Sequence, residues 1–217
     1  MRCIHRGGVN SVFLLLFLLI ASQPYSADSA VVAPGMVTGV SGRTTRQTDQ
    51  KTAHVLKQGD RIQIADTIET GSDSYLQILL TDGSVIVLSP GSKARISQYS
   101  YDATPNRRTC VVNLKYGILH VIINDARVSG SRFAIETEQA LAVTARSDVV
   151  VEATTEKTVV ASLAGGVSVR NSINMVVGTV SVGENMSTVV KTKESPTVPS
   201  ILSQLQRRRF TKDARFF

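Results

Sequence analysis

The sequence has 217 residues, 42% of them apolar and 5% aromatic with no Trp, and its formal charge is +7. That length admits one or two domains. Two cysteines, Cys3 and Cys110, are too few for a disulfide-stapled fold, and there is neither a Gly-x-Ser-x-Gly elbow nor a Gly-rich phosphate loop ahead of a helix.

Residues 1–29 have the layout of a secretory signal peptide. Arg2 and Arg6 give a positive start, Val12–Ala21 (VFLLLFLLIA) is an apolar run, and small residues follow up to Ala27 and Ser29. Ten apolar residues are short for a membrane span, which needs about 20. Cleavage before Ala30 leaves a charge of about +6 and a single cysteine, Cys110. An exported chain without bridges suits a bacterial periplasm.

From residue 30 to residue 193 the pattern has period two. Tyr75–Leu80 (YLQILL) and Val85–Leu88 (VIVL) are strand-forming runs separated by TDGS, so Asp82-Gly83 reads as a type I′ hairpin turn with both residues at positive φ. Ser89–Ser92 (SPGS) fits a type II turn. Gly59, Asp60 and Gly71 fall at strand ends. Tyr99–Thr109 reads as a long polar loop between two lobes. Candidate strands follow at Val111–Leu114, Ile118–Ile123, Arg132–Glu136, Leu141–Thr144, Val149–Thr154, Thr158–Leu163, Val167–Arg170, Met175–Val182 and Met186–Lys191. Turn signals about every 8 to 12 residues, with no sustained helical period, predict an all-β domain. Residues 194–200 carry two prolines and read as a linker. Residues 201–217 form a basic tail in which Ile201, Leu202, Leu205 and Phe210 can line one stripe of a short helix. Cutting the chain after Thr192 is therefore expected to change its melting temperature little.

The acids Asp66, Glu69, Asp73 and Asp82 lack calcium-loop spacing. They sit beside Gly or Thr, where an acidic side chain caps backbone amides in turns. His54 and His120 are far apart, and no ligand cluster accompanies them, so neither metal nor cofactor is expected. Cys110 opens an apolar run and reads as a buried small hydrophobe. Partner-binding candidates are Tyr99, Tyr101, Arg107 and Arg108 in the polar loop, and Arg207, Arg208 and Arg209 in the tail.

The stretch Gly59–Ser92 resembles the FecR domain family. It supplies Gly59, Asp60, Asp66, Thr70, Gly71, Ser74, Asp82, Gly83, Ser84 and Leu88 in the family's order, and Leu114–Leu119, Arg132–Val143 and Gly165–Arg170 resemble its second half. Ala145, Arg146, Ser147 and Asp148 stand where the family usually has an Arg-Gly-Thr turn. The resemblance covers Val37–Val190. It implies a periplasmic all-β domain of stacked antiparallel hairpins, solenoid-like or a twisted β-sandwich, in two similar lobes. It also implies a non-catalytic envelope module for binding, scaffolding or signalling. The best-known members span the membrane and regulate a sigma factor. With eleven residues before the apolar run and a short tail, that role is not expected to carry over. The expected partner is an envelope protein or an anionic envelope surface, with peripheral membrane contact through the tail and no nucleic acid. The alternatives are a peptidoglycan or anionic glycan module and an envelope hydrolase using the acids near Gly71 and Gly83.

Overall fold

The computed structural model describes residues 33–48, 52–123 and 130–213. The proposed signal peptide and the terminal Phe216 and Phe217 lie outside the described residues. Among those residues there are seventeen strands and one helix. In chain order the first strands are β1 (Gly35–Ser41), β2 (Thr44–Thr48), β3 (His54–Val55), β4 (Arg61–Ile62), β5 (Asp66–Thr70), β6 (Tyr75–Leu80), β7 (Val85–Leu88), β8 (Lys93–Asp102) and β9 (Arg107–Ile122). Then come β10 (Arg132–Glu136), β11 (Ala140–Thr144), β12 (Ser147–Ala153), β13 (Lys157–Gly165), β14 (Val167–Asn171), β15 (Thr179–Val182), β16 (Met186–Lys191), β17 (Ser200–Ile201) and α1 (Gln204–Asp213).

The strands form two sheets. The first runs β4-β1-β6-β7-β9-β12-β13-β16-β17, all antiparallel. The second runs β3-β2-β5-β8-β9-β10-β11-β14-β15, antiparallel except for the parallel β9–β10 pair. Pieces of chain alternate between the sheets, and one apolar core from Val37 to Val190 lies between them. The all-β sandwich of antiparallel hairpins is therefore as expected. The two lobes are flanks of a single core rather than separate bodies.

Strand β9 belongs to both sheets. Its first part pairs with β8 and β10, and its last part, from Gly117 on, pairs with β7 and β12. Core-facing residues are even-numbered up to Leu114 and odd-numbered from Leu119, so the strand reverses its faces at the bend. Gly117 makes this reversal at φ +94°. The Ser92 hydroxyl, at the end of the 89–92 turn, locks the bend by accepting from the Ile118 amide at 2.9 Å and donating to the Ile118 carbonyl at 3.2 Å. A Cβ on Gly117 would stand 2.5 Å from the Ser92 Cα, a backbone atom that cannot step aside. Gly117→Ala is therefore expected to cost about 2 kcal/mol or more, read by chemical denaturation.

Two expectations are corrected at the hairpins. The β6–β7 connection is not a type I′ turn. Gly83 has φ +81°, but Asp82 is not at positive φ. The Gly83 amide donates to the Leu80 carbonyl (2.9 Å) and the Leu80 amide to the Ser84 carbonyl (2.8 Å), so three residues make the loop and glycine takes its last place. Nor is 99–109 a loop between lobes. It is the end of one long hairpin, β8–β9, whose turn is only 103–106 and contains a cis Thr104–Pro105 bond. Apart from the inward Arg108 and Tyr99, the polar residues there are the outward half of two alternating strands. The other expected turns hold. Gly91 has φ +61°, as a type II turn requires, and Gly59 has φ +91° in a turn closed by the Lys57 amide donating to the Asp60 carboxylate at 2.9 Å. The Gly71 amide donates to the Arg43 carbonyl at 3.0 Å.

The chain after Lys193 is fixed on the sandwich. Thr197 exchanges backbone and side-chain bonds with Thr188 and Val189, and the Asn171 amide donates to the Glu194 carbonyl at 2.8 Å. Helix α1 starts with a capping box: the Ser203 hydroxyl accepts from the Gln206 amide at 3.2 Å while the Gln206 side chain accepts from the Ser203 amide at 3.0 Å. Leu202 and Phe210 pack on Val150 and Ala161, which point outward from the first sheet, with Ile118 and Leu163 beside them. The predicted apolar stripe is thus half right, because Ile201 and Leu205 face solvent.

Candidate functional site

The acids that raise the question of catalysis are bound into the scaffold. Asp66 is buried, accepts from the Gln63 amide at 2.8 Å and from Thr48, and pairs with Arg46 at 3.4 Å. Glu69 accepts from Lys93 Nζ at 2.8 Å and from the Tyr116 hydroxyl at 2.9 Å. The Lys93 bond, then the Tyr116 bond, hold the Glu69 carboxyl below its usual range. Asp73 takes a bond from Ser72 on the surface. Asp82 makes the expected turn bonds, accepting from the Ser84 amide at 3.2 Å and the Ser84 hydroxyl at 2.7 Å. It also pairs with Arg108, which the sequence reading did not foresee.

Arg108 and Tyr99, two of the four loop candidates, lie inside the sandwich and are unavailable to a partner. Arg108 is 1% exposed. Besides Asp82, its guanidinium donates to the Ser84 hydroxyl at 3.0 Å and to the Ala145 carbonyl at 2.8 Å, and it lies 5.9 Å from the centre of the Phe133 ring. It joins the β6–β7 hairpin to the turn after β11, where the family's usual Arg-Gly-Thr is replaced. A sequence signal for this burial exists: Arg108 shares its parity with Cys110, Val112 and Leu114, all core residues. The Tyr99 hydroxyl bonds Thr81 at 2.8 Å, accepts from the Asp82 amide at 3.1 Å and donates to the Asp82 carboxylate at 3.3 Å. Burial pushes its pKa up to about 12. The sign follows directly: a phenol whose pKa is raised on folding stabilises fully below the unfolded value near 10, and that stabilisation is lost as pH rises towards 12. The Tyr116 phenol is also raised, first by its bond to Glu69, so an alkaline absorbance titration is expected to show late phenolates of which Tyr99→Phe removes one. Cys110 is buried, and burial pushes its thiol up, as suits an inert core residue.

Tyr101 is half-buried against the core and Arg107 is exposed. Arg207, Arg208 and Arg209 lie on the exposed side of α1. Arg209 reaches Glu152 at 2.5 Å, whereas Arg207 and Arg208 are exposed, as are Leu205 of α1 and Ile201 of β17, each at 79%. These tail residues and the 107–108 hairpin lie on different sheets, so the seven candidates do not form one site.

Two of the clefts among the described residues lie apart from the tail helix. One, of about 310 Å³, lies on the outer face of the second sheet, where Thr67, Arg95, Asn113 and Glu136 follow one another across four strands beside Lys93 and Lys115. The other, of about 550 Å³, lies at the ends of β9, β12 and β13 and holds Arg146, Asp148 and Glu184. None of the four acids discussed above lines either cleft. The Asp148 carboxylate accepts from His120 Nε2 at 2.5 Å. His120 is buried, and its Nδ1 has no hydrogen-bond partner among the described residues. Among the described residues, no group of three His, Cys, Asp or Glu side chains could hold a metal, and no helix is long and apolar enough to cross a membrane.

The strand order, the strand shared by both sheets and the sealed polar centre define an all-β sandwich domain. Residues 66–168 match the family model described as FecR protein. That match runs from β5 into β14 and includes the β9 crossing; it is narrower than the resemblance read from the sequence. The fold is similar to two crystal structures of a protein assigned as an anti-sigma factor from Parabacteroides distasonis ATCC 8503, at 2.50 and 1.65 Å resolution. Identity is 17%, the TM-score is 0.53, and the alignment covers 67% of this chain. The chain spans 63% and 64% of those proteins, under two thirds of their length. No curated protein matches it.

Proposed function

We propose that this chain is a non-catalytic module of the cell envelope that holds a protein partner in signalling of the FecR kind. The FecR match over residues 66–168 carries the reading. The fold shared with an assigned anti-sigma factor supports it, and so does the fact that the acids near Gly71 and Gly83 are committed to structural bonds. Export through residues 1–29 would place the domain in the periplasm. Photo-cross-linking from Arg107 and from Arg208 in intact cells tests the proposal, with mass spectrometry of the N-terminus in the same preparation. The expected result is one dominant protein adduct in the envelope and a chain beginning at or near Ala30. Absence of any protein adduct from either position, or an intact Met1 peptide in the cytoplasm, would overturn it.

A second reading is an anionic envelope surface. It is favoured by the exposed Arg207 and Arg208 of α1 and by the exposed Leu205 of the same helix. Each basic side chain near an anionic lipid surface contributes about 1 kcal/mol, screened over roughly 8 Å at physiological salt. Arg207→Glu with Arg208→Glu is expected to abolish co-sedimentation with anionic vesicles at low salt without changing the melting temperature. An anionic glycan would instead use the Lys93, Arg95 and Lys115 cleft.

A further inference from the structure

The outer face of the first sheet is apolar well beyond the part that α1 covers. The strand registers place Met36 of β1, Leu79 of β6, Val85 of β7 and Ile122 of β9 side by side across four strands. Asp148 of β12 follows Ile122 in the same row. Met36, Leu79 and Ile122 are 44%, 39% and 41% exposed, and Val85 is half-buried. In the next row Val87, His120 and Val150 are neighbours, and all three are buried although they point away from the core. Leu202 and Phe210 pack on Val150, but Val87 belongs to neither apolar cluster. Cover over this row therefore reaches past β12 towards β7. Helix α1 runs that way. It follows β17 at the edge of the sheet, crosses β16 and β13, and sets Phe210 over Val150 of β12.

We propose that residues 214–217 continue this path and lie on the open row, with Phe216 and Phe217 against Ile122, Val85 and Leu79. Reach permits it. Neighbouring strands lie about 4.8 Å apart, so β7 is about 10 Å from β12, and four extended residues span about 13 Å. Chemistry selects the occupant. Two phenyl rings match an apolar row that is otherwise left in water. Arg215 precedes them in the chain and meets the cleft beside Ile122, where Asp148 and Glu184 outnumber Arg146. The rings are then buried on this domain instead of in a membrane or on a partner, and the row is closed to both.

Photo-cross-linking of the compact unit Val31–Phe217, with benzoylphenylalanine in place of Phe216 or Phe217, tests this. The expected adducts lie within one chain, on the peptides that carry Leu79, Val85 or Ile122. Stopping the chain after Asp213 keeps α1 and its Phe210 anchor, so the melting temperature should hardly move. Binding of a dye specific for apolar surface should then rise about twofold or more. Leu79→Ser with Ile122→Ser in the shortened chain should remove that rise. Adducts between two chains would give the row to another copy's tail and overturn the proposal. Adducts that move to lipid when anionic vesicles are added would hand the rings to the membrane and overturn it too. So would adducts scattered over the surface, no adduct at all, or dye binding unchanged by the shortening.

Discussion

Asp82→Asn is expected to lower the melting temperature by roughly 10 °C, although Asn suits the turn as well as Asp does. Its carboxylate is the counter-ion of a guanidinium that is 1% exposed. Removing one member of a buried pair leaves the other charged in a low-dielectric site, at a cost of about 3 to 5 kcal/mol. For a domain of this size each kcal/mol shifts the midpoint by about 2 to 4 °C. The Ser84 and Ala145 bonds to Arg108 remain, so the lower end of the range applies. Arg108→Met alone should also destabilise, by stranding the Asp82 carboxylate. The double variant removes both charges and should lose less than the sum of the two. Thermal melts of the four proteins give the coupling directly. Strict additivity, or a neutral Asp82→Asn, would show that the pair does not hold the β6–β7 hairpin to the second half of the sandwich.

The second large effect lies in the C-terminal helix. Truncation after Thr192 is expected to destabilise the domain by several kcal/mol, against the expectation that the tail is dispensable. It removes the buried Leu202 and Phe210 and uncovers Val150 and Ala161. Full burial of a Leu or Phe side chain is worth about 1.5 to 3 kcal/mol each, an upper bound because the unfolded chain already hides some of that surface. Phe210→Ala alone should cost about 3 kcal/mol. Arg209→Ala breaks the exposed pair with Glu152 and the contact of the guanidinium with the Phe210 ring, 5.9 Å from its centre, and should stay within about 1 kcal/mol. Denaturant midpoints of the three variants separate burial from charge. Equal losses for Phe210→Ala and Arg209→Ala would mean that the ion pair rather than the ring anchors the helix.

The sequence by itself determined the strands, because a half-buried strand must alternate. Tyr75–Leu80, Val85–Leu88, Arg132–Glu136 and Met186–Lys191 coincide with observed strands to the residue. The turn bonds of Asp82 to Ser84 were legible too, since turn chemistry is local, but the ion pairs of Asp82, Asp66 and Glu69 were not. Tertiary structure decided what alternation cannot express: against what each inward side chain packs. Val111–Leu114 and Ile118–Ile123 read as two strands because the inward parity changes between them. Only the bend at Gly117, locked by a serine 25 positions earlier, shows that one strand serves both sheets. Arg107 and Arg108 read as one polar pair, yet neighbours in a strand face opposite ways, and the register of β8 on β9 turns Arg108 towards Asp82, 26 residues back. The tail's charges were legible, but its docking was not. The surface that receives Phe210 is made by Val150 and Ala161, which become adjacent only when β12 pairs with β13.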